Sequence, residues 1–129
     1  MKEKSASNLN LFLNTADDKS IIRIFSDSKI LAEKKIQSKS ELSEKLLVEI
    51  ERLLKSKKLI FFDLSSVSVF VGPGSYTGLR IGVTVANFLA WSLGIPLFSA
   101  DKKGKIISGI KKFVLPKYLH KPKITKSKK

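Results

Sequence analysis

The chain has 129 residues, enough for one domain with a core of its own. It is 43% hydrophobic and 28% charged, a globular composition, and its lack of cysteine excludes disulfides and thiolate metal sites. The net charge of +14 is uneven: residues 101–129 carry eleven lysines against the single acid Asp101, so that segment is +10 and the rest only +4.

A cysteine-free chain fits a reducing compartment such as the cytoplasm. The opening MKEKSASNLN holds Glu3 and no apolar run of signal-peptide length, which argues against secretion. Leu9–Asn14 (LNLFLN) predicts a short strand ending in the turn cluster 15–18. Ser20–Ser26 (SIIRIFS) and Lys29–Gln37 (KILAEKKIQ) predict two more strands around an Asp27-Ser28 turn, so an antiparallel meander is expected. Ser38 to Lys57 predicts a helix, with Ser38 and Glu41 at capping-box spacing. Its apolar stripe comprises Leu42, Leu46, Leu47, Ile50, Leu53 and Leu54, and serves as core or as a partner surface.

Between residues 58 and 71 propensity suggests strands at Leu59–Phe62 and at Val67–Val71, the second leading into a glycine turn. That turn, Gly72-Pro73-Gly74-Ser75, opens a helix predicted to run to about Leu93, where Gly94 and Pro96 stop it. Gly78, Gly82, Ala86 and Ala90 recur at every fourth position and share one helix face. Two interior glycines cost about 1 kcal/mol each relative to alanine. Close approach of another backbone is the expected compensation. The other faces carry Leu79, Ile81, Val83, Val85, Phe88, Leu89, Trp91 and Leu93, so the helix is expected to be covered on several sides. Arg80 and Asn87 interrupt the apolar run, which is shorter than the ~20 residues a bilayer span needs. Ile95–Ala100 predicts a last strand, and Gly104–Val114 an amphipathic helix stopped by Pro116. The remainder, KYLHKPKITKSKK, is basic and proline-punctuated, and is expected to be flexible without a partner. Residues 1–100 thus read as one α/β lobe, a mixed sheet with helices against it, and 101–129 as a basic helix and tail.

No motif assembles a catalytic constellation. The glycines do not follow G-x-G-x-x-G, and no Gly-Lys-Ser/Thr follows them, so no cofactor is assigned. Ser75 lacks the G-x-S-x-G frame, His120 stands alone, Asp17-Asp18 reads as turn decoration and Asp63 as a cap. Lysines 111, 112, 117, 121, 123 and 126 (Lys111, Lys112, Lys117, Lys121, Lys123, Lys126) are candidate RNA contacts through phosphate.

The stretch Gly72, Pro73, Gly74, Ser75, Tyr76, Thr77, Gly78, Leu79, Arg80, Ile81, Gly82 resembles the GPGSFTGLRIG signature of the TsaB (YeaZ) family at ten of eleven positions, with Tyr76 for Phe. The resemblance covers residues 8–100 well and the tail weakly. It implies a ribonuclease-H-like lobe of the actin-like ATPase superfamily, here a single shortened lobe. It implies a non-catalytic partner of the TsaD enzyme, acting in threonylcarbamoylation of the adenosine beside the tRNA anticodon. It implies pairing, with a second copy or with TsaD, through the first two helices. The expected interface is Leu46, Ile50, Leu53, Gly78, Leu79, Gly82, Ala86 and Ala90, with no membrane and no metal. Asn14 stands where the superfamily's first strand carries Asp, which disfavours an ATP-using enzyme. A different class of function, a small basic RNA-binding protein acting through the lysine-rich tail, remains the alternative.

Overall fold

The computed structural model describes residues 8–37, 41–74 and 76–107. Strands β1 (Leu9–Asn14), β2 (Ser20–Ser26) and β3 (Lys29–Ile36) form the expected antiparallel meander. Strands β4 (Ser66–Phe70) and β5 (Leu97–Ala100) are parallel to β1, and the sheet order is β3-β2-β1-β4-β5. Alternation explains the faces. Leu9, Leu11, Leu13, Ile22, Ile24, Val67, Val69 and Leu97 point into the main core, beneath helices α1 (Leu42–Ser56) and α2 (Tyr76–Leu93). Phe12, Phe70 and Ala100 pack on the opposite face with Phe25 beside them. The β2–β3 turn puts Asp27 and Ser28 at φ 51° and 76°, and two positive φ values match the right-handed twist of a tight hairpin. β3 is an edge strand, and Lys29, Lys34 and Lys35 on it discourage pairing with another sheet.

Three local expectations are corrected. Helix α1 begins at Leu42 with Glu41 as its N-cap and no side-chain capping bond, while Ser38 lies outside the described residues. Leu59–Phe62 is not a strand. Lys58 turns the chain with φ 61°, and Phe61–Asp63 forms one 3₁₀ turn in which the Asp63 carboxylate accepts the Ile60 N–H at 2.9 Å. Leu59 and Phe61 pack into the main core instead of pairing, while Ile60 and Phe62 face solvent; β4 already fills the place beside β1. Finally, residues 104–107 are a turn and a bridge, not the start of a helix; 108–114 lie outside the described residues.

That turn has a clear cause. Asp101 Oδ1 accepts N–H bonds from Lys103, Gly104 and Lys105 at 2.9–3.0 Å, and Gly104 supplies φ 106°. The Asp101 N–H donates to Lys105 O and the Ile107 N–H to Ser99 O, so Lys105–Ile107 lies antiparallel along the edge of β5. Asn14, fully buried at the end of β1, ties the turn down from below. Its amide donates to Lys102 O at 3.2 Å and its Oδ1 accepts the Ala16 N–H. An aspartate at this position could not donate to a carbonyl.

The tightest junction lies between the end of β1 and α2. The buried Thr15 hydroxyl donates to Gly78 O and accepts the Gly82 N–H at 3.1 Å. It thereby enters the i→i+4 ladder of α2 between the two residues that would bond each other. A Cβ at Gly82 would collide with Thr15, with Cγ2 at 3.0 Å. The compensation expected for an interior glycine is therefore within the chain: Gly82 admits a threonine side chain into the helix flank. Gly74 plays a similar part in the turn, where a Cβ would stand 2.7 Å from Ala16 Cβ.

Two outcomes follow from these contacts. Gly82→Ala should destabilise the fold by about 1–3 kcal/mol through overpacking, outweighing the ~1 kcal/mol alanine gains in a helix. In a Thr15→Ala background that cost should fall by ~1 kcal/mol or more, as urea unfolding of the four-variant cycle would register. The three N–H bonds, foremost that of Lys105, hold the Asp101 carboxyl below its ordinary range. A depressed pKa gives stabilisation that is present above the unfolded value and lost as pH falls through the folded one. The amide resonances of Lys103–Lys105 should therefore stay fixed from neutral pH down to the usual aspartate value near ~3.9, and move together only below it. In Asp101→Asn that low-pH step should vanish.

Candidate partner-binding surface

Helix α1 turns Leu42, Leu46, Ile50 and Leu54, spaced by four, onto the sheet, and all four are fully buried. The neighbouring positions Leu47 and Val48 then face outward and are exposed. Helix α2 is apolar nearly all round, and one sheet cannot cover every side of it. Leu79, Val83, Ala86, Leu89 and Ala90 go inward, which leaves Phe88 51% and Trp91 80% exposed. Phe62, on the 3₁₀ turn between α1 and β4, is also 80% exposed. Leu47, Val48, Phe62 and Phe88 meet along the seam of the two helices, and Trp91 is exposed three residues on from Phe88. Leu47, Val48, Phe61, Phe62, Phe88 and Leu93 line a shallow groove of about 380 Å³ there, with Glu51 and Ser92 at its margin. A contiguous exposed patch of large apolar side chains marks an interaction surface more often than it marks a solvated one.

The ion pairs nearby are peripheral. Lys45 Nζ lies 2.7 Å from Glu41 Oε1, a contact that lowers the Glu41 carboxyl pKa and raises that of Lys45. Arg52 pairs with Glu49 at 3.1 Å. Exposed pairs of this kind add little to stability. The groove is apolar apart from Glu51 and Ser92.

The predicted interface set lies elsewhere. Leu46, Ile50, Leu79, Ala86 and Ala90 are in the core, Gly78 is buried, Gly82 rests on Thr15, and Leu53 is half-buried against the main core. These eight residues form the inner side of the helix pair, so a partner cannot reach their side chains without opening the fold. The small-residue row is small because β1 approaches α2 closely. Of the outward residues, Leu47 belongs to the α1 stripe read from sequence as core or partner surface, Phe88 and Trp91 belong to faces of α2 expected to be covered, and Val48 and Phe62 were not singled out as surface. The available signal was surplus: α2 holds more large apolar residues than its inner face can take. In the signature turn, Gly72 has φ 107°, Gly74 packs on Ala16, and Pro73, Thr77 and Arg80 are exposed. Ser75 lies outside the described residues, and of Tyr76 only its place as the first residue of α2 is described. Lysines 111, 112, 117, 121, 123 and 126 also lie outside them. Among the described residues no cluster of His, Cys, Asp or Glu could hold a metal ion, and no helix is long and apolar enough to cross a membrane.

Residues 29–101 match the family model described as TsaD, tRNA N6-adenosine threonylcarbamoyltransferase. The tRNA threonylcarbamoyladenosine biosynthesis protein TsaB of Bacillus subtilis is 41% identical over 76 residues, 59% of this chain and 33% of that protein. The protein of the same name from Buchnera aphidicola subsp. Schizaphis graminum is 32% identical over 92 residues, 71% of this chain and 43% of that protein. The chain thus spans less than half the length of these relatives. YeaZ from Pseudomonas aeruginosa shares the fold with a TM-score of 0.67 at 21% identity, over 73% of this chain and 44% of that one. The mixed sheet with its two helices accordingly has the fold of YeaZ. With more than half its residues inside the family model and the GPGSYTGLRIG turn in place, the chain belongs to the TsaD family, in its TsaB (YeaZ) group.

Proposed function

We propose that this chain is a non-catalytic pairing subunit in tRNA threonylcarbamoyladenosine biosynthesis, seating a TsaD-like enzyme or a second copy of itself on the outer face of α1 and α2. The observation that carries the reading is the exposed seam of Leu47, Val48, Phe62 and Phe88, with the exposed Trp91 three residues on from Phe88. Aromatic anchors around a shallow groove are what tight protein interfaces are built from. The names of the relatives supply the process, and the absence of a catalytic constellation from the sequence motifs supplies the accessory role. In this reading residues 1–100 are the pairing lobe, 101–129 are its basic appendage, and the protein works in the cytoplasm with its tRNA.

The second reading, RNA binding through the lysine-rich segment, is favoured by one observation. The described start of that segment exposes Lys102, Lys103 and Lys105 on a single turn. The two readings are compatible, because a basic appendage can hold tRNA near a paired enzyme.

Light scattering on the chain alone and mixed with the TsaD-like protein from the same genome tests the pairing. A homodimer, or a 1:1 complex that replaces it, is the expected result. Trp91 is the single tryptophan, so its emission should lie near that of free tryptophan in the monomer and shift to shorter wavelength on association. The double variant Phe88→Glu/Trp91→Glu should remain folded and lose ~2 kcal/mol or more of association energy, the range of buried aromatic anchors. Unchanged association of that folded variant would refute the assignment of this face.

A further inference from the structure

The opposite face of the sheet carries a second groove, of about 640 Å³, which none of the foregoing assigns. It is built by strand register. Phe25 pairs across β2 and β1 with Asn10, and Asn10 pairs across β1 and β4 with Ser66. Phe98 on β5 pairs with Ser68, on the same side of β4 as Ser66. The strands therefore present Phe25, Asn10 and Ser66 in one row, with Phe98 one side-chain step further along β5, the two rings being three strand spacings apart across the sheet, roughly 14 Å. Both rings are partly exposed.

The polar middle of the row is ordered but not exhausted. Asn10 Nδ2 donates to Ser66 Oγ at 2.8 Å, and Asn10 Oδ1 accepts the Ser68 hydroxyl at 2.9 Å. An amide nitrogen carries two N–H groups, so one remains to donate. Lys103 and Lys105 stand on the rim, and they are the only charged residues lining the groove among those described. The nearby acid Asp101 has its Oδ1 turned onto three backbone N–H groups. Beyond Ile107, whose neighbour Ile106 lines the same rim, the sequence adds eight lysines and no acid.

We propose that this groove binds single-stranded RNA, with bases stacked on Phe25 and Phe98 and phosphates drawn to Lys103 and Lys105. Aromatic rings on an open sheet face, flanked by cations, are the chemistry that holds unpaired bases. Asp27, next to the lining residue Ser28, has its Oδ1 on the Asn8 N–H, and the charges that line the groove are the two lysines, which suit a polyanion and not an apolar peptide. The proposal does not depend on pairing through the helices. It deepens the RNA-binding reading by moving base contact from the tail to the sheet.

The test is fluorescence anisotropy of the full chain with a labelled twelve-nucleotide single strand carrying 4-thiouridine, followed by photocrosslinking and peptide mapping. Phe98→Leu keeps apolar bulk and removes the ring; it should weaken binding about tenfold at constant salt, with an unchanged thermal midpoint. Lys103→Glu/Lys105→Glu should flatten the dependence of log affinity on log salt by about 0.7 per lost phosphate contact. Crosslinks should map to Phe25 or Phe98. A duplex of equal length should bind more weakly and ignore the Phe98→Leu change. Crosslinks confined to residues 108–129, with folded Phe98→Leu binding as the parent does, would overturn the groove and leave the tail reading standing. Absence of binding at low salt would overturn both.

Discussion

The interaction on which the architecture depends is the insertion of the Thr15 hydroxyl into the ladder of α2. Thr15 follows the central strand of the sheet, so its place is set by pairing on both sides of β1. By taking the N–H of Gly82 and giving its proton to Gly78 O, it fixes the helix against that strand. The small residues Gly82, Ala86 and Ala90 then follow as a packing requirement, since a larger side chain on that face would lift the helix off β1 and β4. The signature turn belongs to the same junction. Gly74 lets the turn close onto Ala16, the next residue after Thr15.

Once α2 is pressed inward, its composition decides what faces outward. A helix with that many large apolar residues, laid beside α1 over one sheet, buries one side and leaves Phe88 and Trp91 in solvent. Mutual packing of the helices does not cover them, and the exposed Phe62 extends the same seam. An isolated domain gains nothing from two side chains at 80% exposure; a surface that meets a partner does.

The two faces of the sheet have different chemistry. The helix side is apolar at its seam. The other side carries Phe25 and Phe98 around an Asn and Ser strip, with lysines at the rim. The Asp101 turn, locked by three N–H bonds and clasped by Asn14, sets Lys103 and Lys105 at that groove. The two proposed surfaces, for a protein partner and for a polyanion, lie on opposite faces of the sheet.

Much of the local structure was legible in the residues alone. The alternation in LNLFLN and SIIRIFS, the four-residue spacing of Leu42, Leu46, Ile50 and Leu54, and the Gly94 stop are local signals, and local geometry enforces them. The capping box read at Ser38 lies outside the described residues, and α1 begins at Leu42 with Glu41 at its N-cap. Leu59–Phe62 has strand propensity, yet the place beside β1 goes to β4, and only pairing partners make a strand. Gly104–Val114 has helical spacing, but the Asp101 carboxylate turns residues 103–105 back along β5. The small-residue row was read correctly as a close-approach face and assigned to the wrong neighbour. Spacing within a helix shows that one side must be thin; it cannot show whether the body pressed against that side belongs to the same chain. The family and the mixed α/β lobe were thus determined by the sequence itself. Which side of each helix meets solvent, and which strand side chains share a groove, was decided by tertiary structure, because both depend on contacts between residues far apart in the chain.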